Sequence, residues 1–261
     1  MYDYNIINEC KNIEIINQEN PLIKVIHYNT LSFDCDSSKY CKNIYKKIWN
    51  YKPVKGNFGT ITMNNQEMII GMDTMNSFFT TWGWFFNNYY QDILKDVFKC
   101  EKFNRIKVED IINNIDLIEN TIINRHGNEL LNNIKKFATY SHTIGNMILV
   151  PKELPPYTKG KGTFNTMRAT KVKDFWDLSM ELLKNENFPF NNYCDMFYLK
   201  NIYTDDNYNI IKFINHDIDN ALPKSIEEYN LFLQIAVDKI IERGKIIDSL
   251  LNKKRRVTNN N

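Results

Sequence analysis

Nothing in this chain is basic or acidic enough to name a partner. Lys and Arg number 33 against 31 Asp and Glu, a formal charge of +2, so no global field draws in nucleic acid or a membrane surface. Long apolar runs are absent too. No segment approaches 18 apolar residues without a charge, which predicts no transmembrane span. The opening residues, MYDYNIINECKN, have no basic stretch leading into an apolar run, so no secretory signal is expected. Cysteine is sparse and odd in number, five at positions 10, 35, 41, 100 and 194. There is no CxxC, and the spacing of Cys35 and Cys41 fits no familiar zinc knuckle. Thiols in a reducing compartment are the expectation, and a cytoplasmic location follows by exclusion. The four histidines, at 27, 126, 142 and 216, form neither HxH nor HExxH. No nucleophile elbow and no internal repeat is present. The glycines do not fall at Walker spacing; Lys-Gly-Lys-Gly at 159–162 is the nearest approach to a phosphate cradle.

What the chain has is apolar and aromatic mass: 43% hydrophobic residues, 16 Phe and 15 Tyr. That supports a sizeable core and excludes a disordered chain. At 261 residues the expectation is a mostly helical α+β single domain over 1–252, with a small antiparallel sheet. A basic polar tail, 253–261, is expected to be disordered. Leu22 to Tyr28 reads as a strand. Ser37 or Ser38 can cap a helix from Lys39 to Trp49. Thr60–Met63 and Glu67–Ile70 read as a hairpin joined at Asn64-Asn65. A single helix is expected from Asp73 or Thr74 to Phe98. It is apolar almost all round, which places it in the core; the competing reading is an aromatic platform for stacking bases. Helices are expected over Val108–Ile118 and Asn120–Tyr140, the second with Gly127 inside it. Met196–Tyr203 and Tyr208–Ile214 read as strands. A last helix runs from Ser225, with Glu228 at the capping-box position, to Leu251.

The stretch from Tyr140 to Leu183 gathers a His, two Asn, an Arg, two Asp and three Gly between apolar elements. His142–Val150 reads as extended, with Gly145-Asn146 supplying a turn. Pro151, Pro155, Pro156, Gly160 and Gly162 mark a long loop, and loops of that length are commonly functional. A helix follows, capped by Thr170 or Asp174. Arg168 then lies just before a helix start, where an anion is favoured. With Lys159 and Lys161 it puts three positive charges on one loop. The bland reading is that Arg168 pairs with Asp174 or Asp177 and pins the loop.

The run HTIGNMILVP, then Phe164-Asn165, Arg168 and DFWDL, resembles the C-terminal signature of an uncharacterised family of bacterial and phage-type proteins. Phe33-Asp34-Cys35-Asp36-Ser37-Ser38 resembles its N-terminal signature, and GMDTMNSF at Gly71–Phe78 its middle one. The resemblance covers about residues 30 to 185 and implies no particular activity. A weaker similarity links Gly145, Asn146, Asn165 and Arg168 to the tail of His-Me finger (HNH-type) nuclease domains. Those carry an acidic residue beside the His that activates water next to a divalent metal. This chain offers His126 in Asn-Arg-His-Gly-Asn, with no acidic neighbour.

Two readings from different classes follow. In the first, the chain is an enzyme directed at a nucleotide or nucleic-acid phosphate, nuclease-like, in bacterial defence, toxin action or phage–host conflict, a setting implied by the resemblance. His142, Asp34, Asp36 and Asp73 would be catalytic, with Mg²⁺ a candidate cofactor because hard cations take carboxylate oxygens. Asn146, Lys159, Lys161, Asn165 and Arg168 would hold the anionic ligand. In the second, the same residues are caps and pins of a non-catalytic protein that binds or inhibits a protein partner. A third reading uses the aromatic core as a small-molecule pocket. Convergence of Arg168, His142 and one of the three Asp in a single cleft separates the first from the others.

Overall fold

The computed structural model describes residues 20–30, 38–55, 58–152, 164–184 and 188–258. The fold is α+β: helices packed around a small antiparallel sheet of four strands in the order β1-β2-β3-β4. Among the described residues no helix is long and apolar enough to cross a membrane.

Helix α1 is Pro21–Thr30, where the sequence reads as a strand. Pro21 sits at the first helical position, and the Asn20 side chain accepts the Leu22 N–H at 2.9 Å, a good start for a helix. The buried Leu22, Val25 and Ile26 keep helical spacing, which outweighs the β-branched content of so short a run. Helix α2, Lys39–Trp49, starts on Ser38, whose hydroxyl accepts from Tyr40 and Cys41, and stops on Asn50 at φ 56°. Strands β1 (Lys52–Lys55), β2 (Phe58–Met63) and β3 (Gln66–Thr74) follow. Asn64 and Asn65 join β2 to β3 at φ 52° and 59°, the left-handed pair that a two-residue hairpin turn needs.

Strand β3 runs on to Thr74 because β4, Met147–Pro151, pairs with it through Asp73↔Ile148 and Thr74↔Met147. Asp73 is therefore a strand residue and caps nothing. The expected single helix after it is two helices, α3 (Phe78–Tyr89) and α4 (Gln91–Asp96), separated at Tyr90. Ser77 is the cap, its hydroxyl accepting the Thr80 N–H at 3.3 Å. Trp82, Phe85 and Phe86 have no solvent exposure, so that face of α3 is core, while Phe79 and Trp84 on another face stay half-buried.

A 3₁₀ turn at Phe103–Arg105 leads to α5 (Val108–Asn113), α6 (Ile115–His126) and α7 (Asn128–Ser141). Gly127 lies between α6 and α7 at φ +86° and ψ 167°. That conformation belongs to glycine, and it ends the helix that was expected to run through. His142–Val150 is only partly extended, because Ile144–Asn146 is a 3₁₀ turn before β4. Gly145 is there for close approach. A Cβ on it would lie 2.1 Å from the Ile240 carbonyl oxygen and 3.1 Å from the Gly244 nitrogen.

Helices α8 (Phe164–Lys171), α9 (Trp176–Leu183) and α10 (Phe190–Met196) come next. Residues 197–214 form turns with isolated bridges Lys200↔Thr204 and Thr204↔Ile210, not the two strands expected over Met196–Tyr203 and Tyr208–Ile214. Helix α11, Ile226–Thr258, begins as read, with the Ser225 hydroxyl accepting the Glu228 N–H. It continues beyond Leu251 through the basic run to Thr258, so the expected disordered tail is helical over 253–258. A helix already anchored by packing propagates at little cost.

Candidate functional site

Asp73, Asn146 and Arg168 come from three separate elements and meet at one seam. Strand β3 carries Asp73, the 3₁₀ turn carries Asn146, and the last turn of α8 carries Arg168. Arg168 is thus inside a helix and not before one, which removes the helix-start anion site. Thr170 and Asp174 do not cap α9 either; Phe175 holds that position without a side-chain bond, and Thr170 bonds back to the Thr166 carbonyl.

The Arg168 side chain is only 4% exposed. One guanidinium nitrogen sits 2.5 Å from Asp73 Oδ2. Another donates to the Thr74 carbonyl at 2.7 Å and lies 3.7 Å from Asp174 Oδ1. The far oxygen of Asp174 accepts from the Thr80 hydroxyl at 3.3 Å. The guanidinium also lies 6.0 Å from the centre of the Trp176 ring. Burial raises the Asp73 carboxyl, and Arg168 pulls it the other way. One guanidinium between two carboxylates is an internal clamp joining β3, α8 and the turn before α9.

Asn146 is fully buried. Its Oδ1 accepts the Asn76 N–H at 3.1 Å, and its Nδ2 donates to the carbonyls of Asn76 at 3.0 Å and Ser141 at 2.8 Å. Its own carbonyl accepts the Met75 N–H at 2.7 Å. Asn76 passes the link on, its Oδ1 accepting the Trp176 N–H at 3.4 Å. His142, at the end of α7, is buried as well, and burial pushes its imidazole down to about 4. The ring is neutral at pH 7. Asn165 lies in the first turn of α8.

Asp34, Asp36, Lys159 and Lys161 lie outside the described residues. Among the described residues no three His, Cys, Asp or Glu side chains group to hold a metal ion.

Three elements of the seam were not anticipated. Asn76 and Thr80 stand in or beside the GMDTMNSF stretch, and their amide and hydroxyl are ordinary enough to carry no signal alone. Arg243 on α11 is fully buried; it donates to the carbonyls of Phe197 at 2.9 Å, Gly145 at 2.9 Å and Met147 at 2.7 Å. A lone Arg amid the apolar stripe of α11 was the available clue. Asp177, a candidate partner for Arg168, instead meets His216. Their side chains are fully buried, with Nε2 2.7 Å from Oδ2, and the same oxygen accepts the Phe213 N–H.

No family model matches the chain. No curated protein or solved structure is significantly similar to it either.

Among the described residues, two of the cavities lie elsewhere. One, of about 520 Å³, lies between the end of α2, the outer face of the sheet and α10. The second, of about 680 Å³, lies between α3 and the Phe103–Arg105 turn. Asp73, His142, Asn146 and Arg168 line neither.

Proposed function

We propose that this chain is a non-catalytic binding protein, in which Asp73, Asn146 and Arg168, singled out in the sequence as site residues, serve as an internal clamp. One observation carries the reading. Arg168 is paired with Asp73 and the Thr74 carbonyl, Asn146 is bonded to the main chain of Asn76 and Ser141, and with His142 they line neither of the two cavities described above. A nuclease needs a carboxylate or imidazole that can reach a phosphate and its attacking water. For Asp73 to serve, its pair with Arg168 would have to open at the cost of leaving two buried charges unpaired. Binding or inhibition of a partner, in the setting of bacterial defence, toxin action or phage–host conflict, requires no such opening. A cytoplasmic location is part of the proposal, supported by the free thiols of Cys100 and Cys194, the second pushed up to about 12 by burial.

The test pairs turnover with thermal melting. Purified protein is incubated with Mg²⁺ or Mn²⁺ and with nucleotides and single- and double-stranded oligonucleotides. No hydrolysis is expected. Arg168→Ala should melt earlier, and any shift a ligand gives the wild type should persist in the variant. Hydrolysis that disappears in a folded Asp73→Asn or His142→Gln variant would restore the nuclease-like reading.

A further inference from the structure

The 680 Å³ cavity has the makings of a small-molecule site. Its size falls within the range of about 300–1,000 Å³ usual for such sites. Its walls are flat rings, Phe79 and Trp84 from α3 and Phe103 from the turn opposite. The core holds these rings in place: Trp84 lies 5.5 Å from Tyr229, and Phe103 lies 5.3 Å from Trp82. The charged residues lining it are Lys102 and Lys173; among the described residues no Asp or Glu does. Unspent polar groups face the same space. The Lys102 ammonium and the Asn104 amide make no hydrogen bond to another described residue. Asn87 uses its Oδ1 to accept the Phe103 N–H at 2.8 Å, which leaves its Nδ2 to a guest. Gly83 completes the wall. It interrupts α3 with the residue least suited to a helix interior after proline, and a Cβ there would touch only Phe103 Cδ1, at 3.3 Å. What the glycine provides is room.

We infer that this cavity binds a small molecule made of a flat ring system bearing one negatively charged group. The rings of Phe79, Trp84 and Phe103 take the flat part, Lys102 and Lys173 take the charge, and the amides of Asn87 and Asn104 orient it. The inference rests on the binding-protein reading and names its ligand class. The site touches the clamp through Thr80, which lines the cavity and bonds Asp174.

Titration calorimetry of the full chain tests it with two anions, 2-naphthoate and adenosine 5′-monophosphate, and their neutral counterparts, 2-naphthylmethanol and adenosine. One anion at least should saturate one site per chain and bind tenfold or more tighter than its neutral counterpart. Saturation by naphthoate alone assigns an aryl carboxylate; saturation by the nucleotide alone assigns a nucleotide. Lys102→Gln, on the surface, should weaken binding fivefold or more with an unchanged melting midpoint. Gly83→Leu should abolish it by filling the cavity. The inference is overturned if neither anion saturates, if the neutral molecules bind as tightly, or if Lys102→Gln leaves affinity untouched. The binding-protein reading fails by a different route, turnover that depends on Asp73 or His142. Naphthoate has no bond to hydrolyse, so its binding reports on the cavity alone.

Discussion

Replacing Arg168 by Met removes a charge and keeps most of the volume. The wild-type guanidinium is 4% exposed and Asp73 14%, so solvent screens the pair little. Losing one partner of such a pair typically costs about 3–5 kcal/mol, chiefly because the other charge is left buried without compensation. Asp73 would keep only the Thr74 N–H, at 2.7 Å, and Asp174 the Thr80 hydroxyl. About 3 kcal/mol is therefore expected for Arg168→Met, measured by urea unfolding at pH 7. Removing both charges, as Arg168→Met with Asp73→Leu, should recover much of that loss, because an apolar pair of similar volume needs no desolvation of ions. The double-mutant cycle should give a coupling of about 2 kcal/mol. A loss under about 1 kcal/mol with no coupling would refute the clamp. Arg168 would then be a residue the fold can spare, held for some other purpose, and the catalytic reading would regain its main argument.

Two further outcomes follow from single residues. The His142 ring has its folded value lowered from 6.5 to about 4. The unfolded chain therefore takes up a proton between those values that the folded chain refuses. Stability from this group is complete above pH 6.5 and drains away as pH falls toward 4, by roughly 3 kcal/mol in all; the stability gap between wild type and His142→Gln should narrow accordingly between pH 7 and pH 4.5. Gly145→Ala drives a Cβ to 2.1 Å from the Ile240 carbonyl. The seat of α11 on the 3₁₀ turn must then shift, and a loss of about 2 kcal/mol or more is expected in the same urea assay.

The legible parts of this fold were those written locally. Asn64-Asn65 announced its hairpin, Ser38 and Ser225 announced their helices, and the aromatic run after Ser77 announced the core. The misreadings came where a tertiary partner decided the matter. Strand β3 extends through Asp73 only because β4, more than 70 residues later in the chain, pairs with it, and nothing local distinguishes that Asp from a helix cap. Gly127 could have been read as a break, but its φ of +86° is a property of the packed helix pair. For Leu22–Tyr28 the β-branched residues suggested a strand, while Pro21 and the Leu22, Val25, Ile26 spacing pointed to a helix. At the seam the sequence singled out Asp73, Asn146 and Arg168, and they do come together with Asn76. What it could not show is how little solvent reaches them, with Arg168 4% exposed and Asn146 fully buried. Residue type is the same for a clamp and for a catalyst, and only burial and partner identity separate them.

The turn between α8 and α9 links that clamp to the cavity and gives a last test. Lys173 and Asp174 both have positive φ, 52° and 61°, a conformation that costs a non-glycine residue about 1 kcal/mol or more. The clamp holds this strain: Asp174 is tied to Arg168 and Thr80, while Lys173 donates to the Thr170 carbonyl at 2.8 Å. Lys173 keeps its side chain despite the strain, at the position where it lines the cavity. Lys173→Gly should relieve the backbone and stabilise the fold by about 0.5–1 kcal/mol, and should also weaken binding of a planar anion. Opposite signs in the two assays would show a residue retained for its charge against the preference of the backbone. If stability rises and affinity stays put, Lys173 contributes nothing to the site, and the anion would be held from the Lys102 side alone.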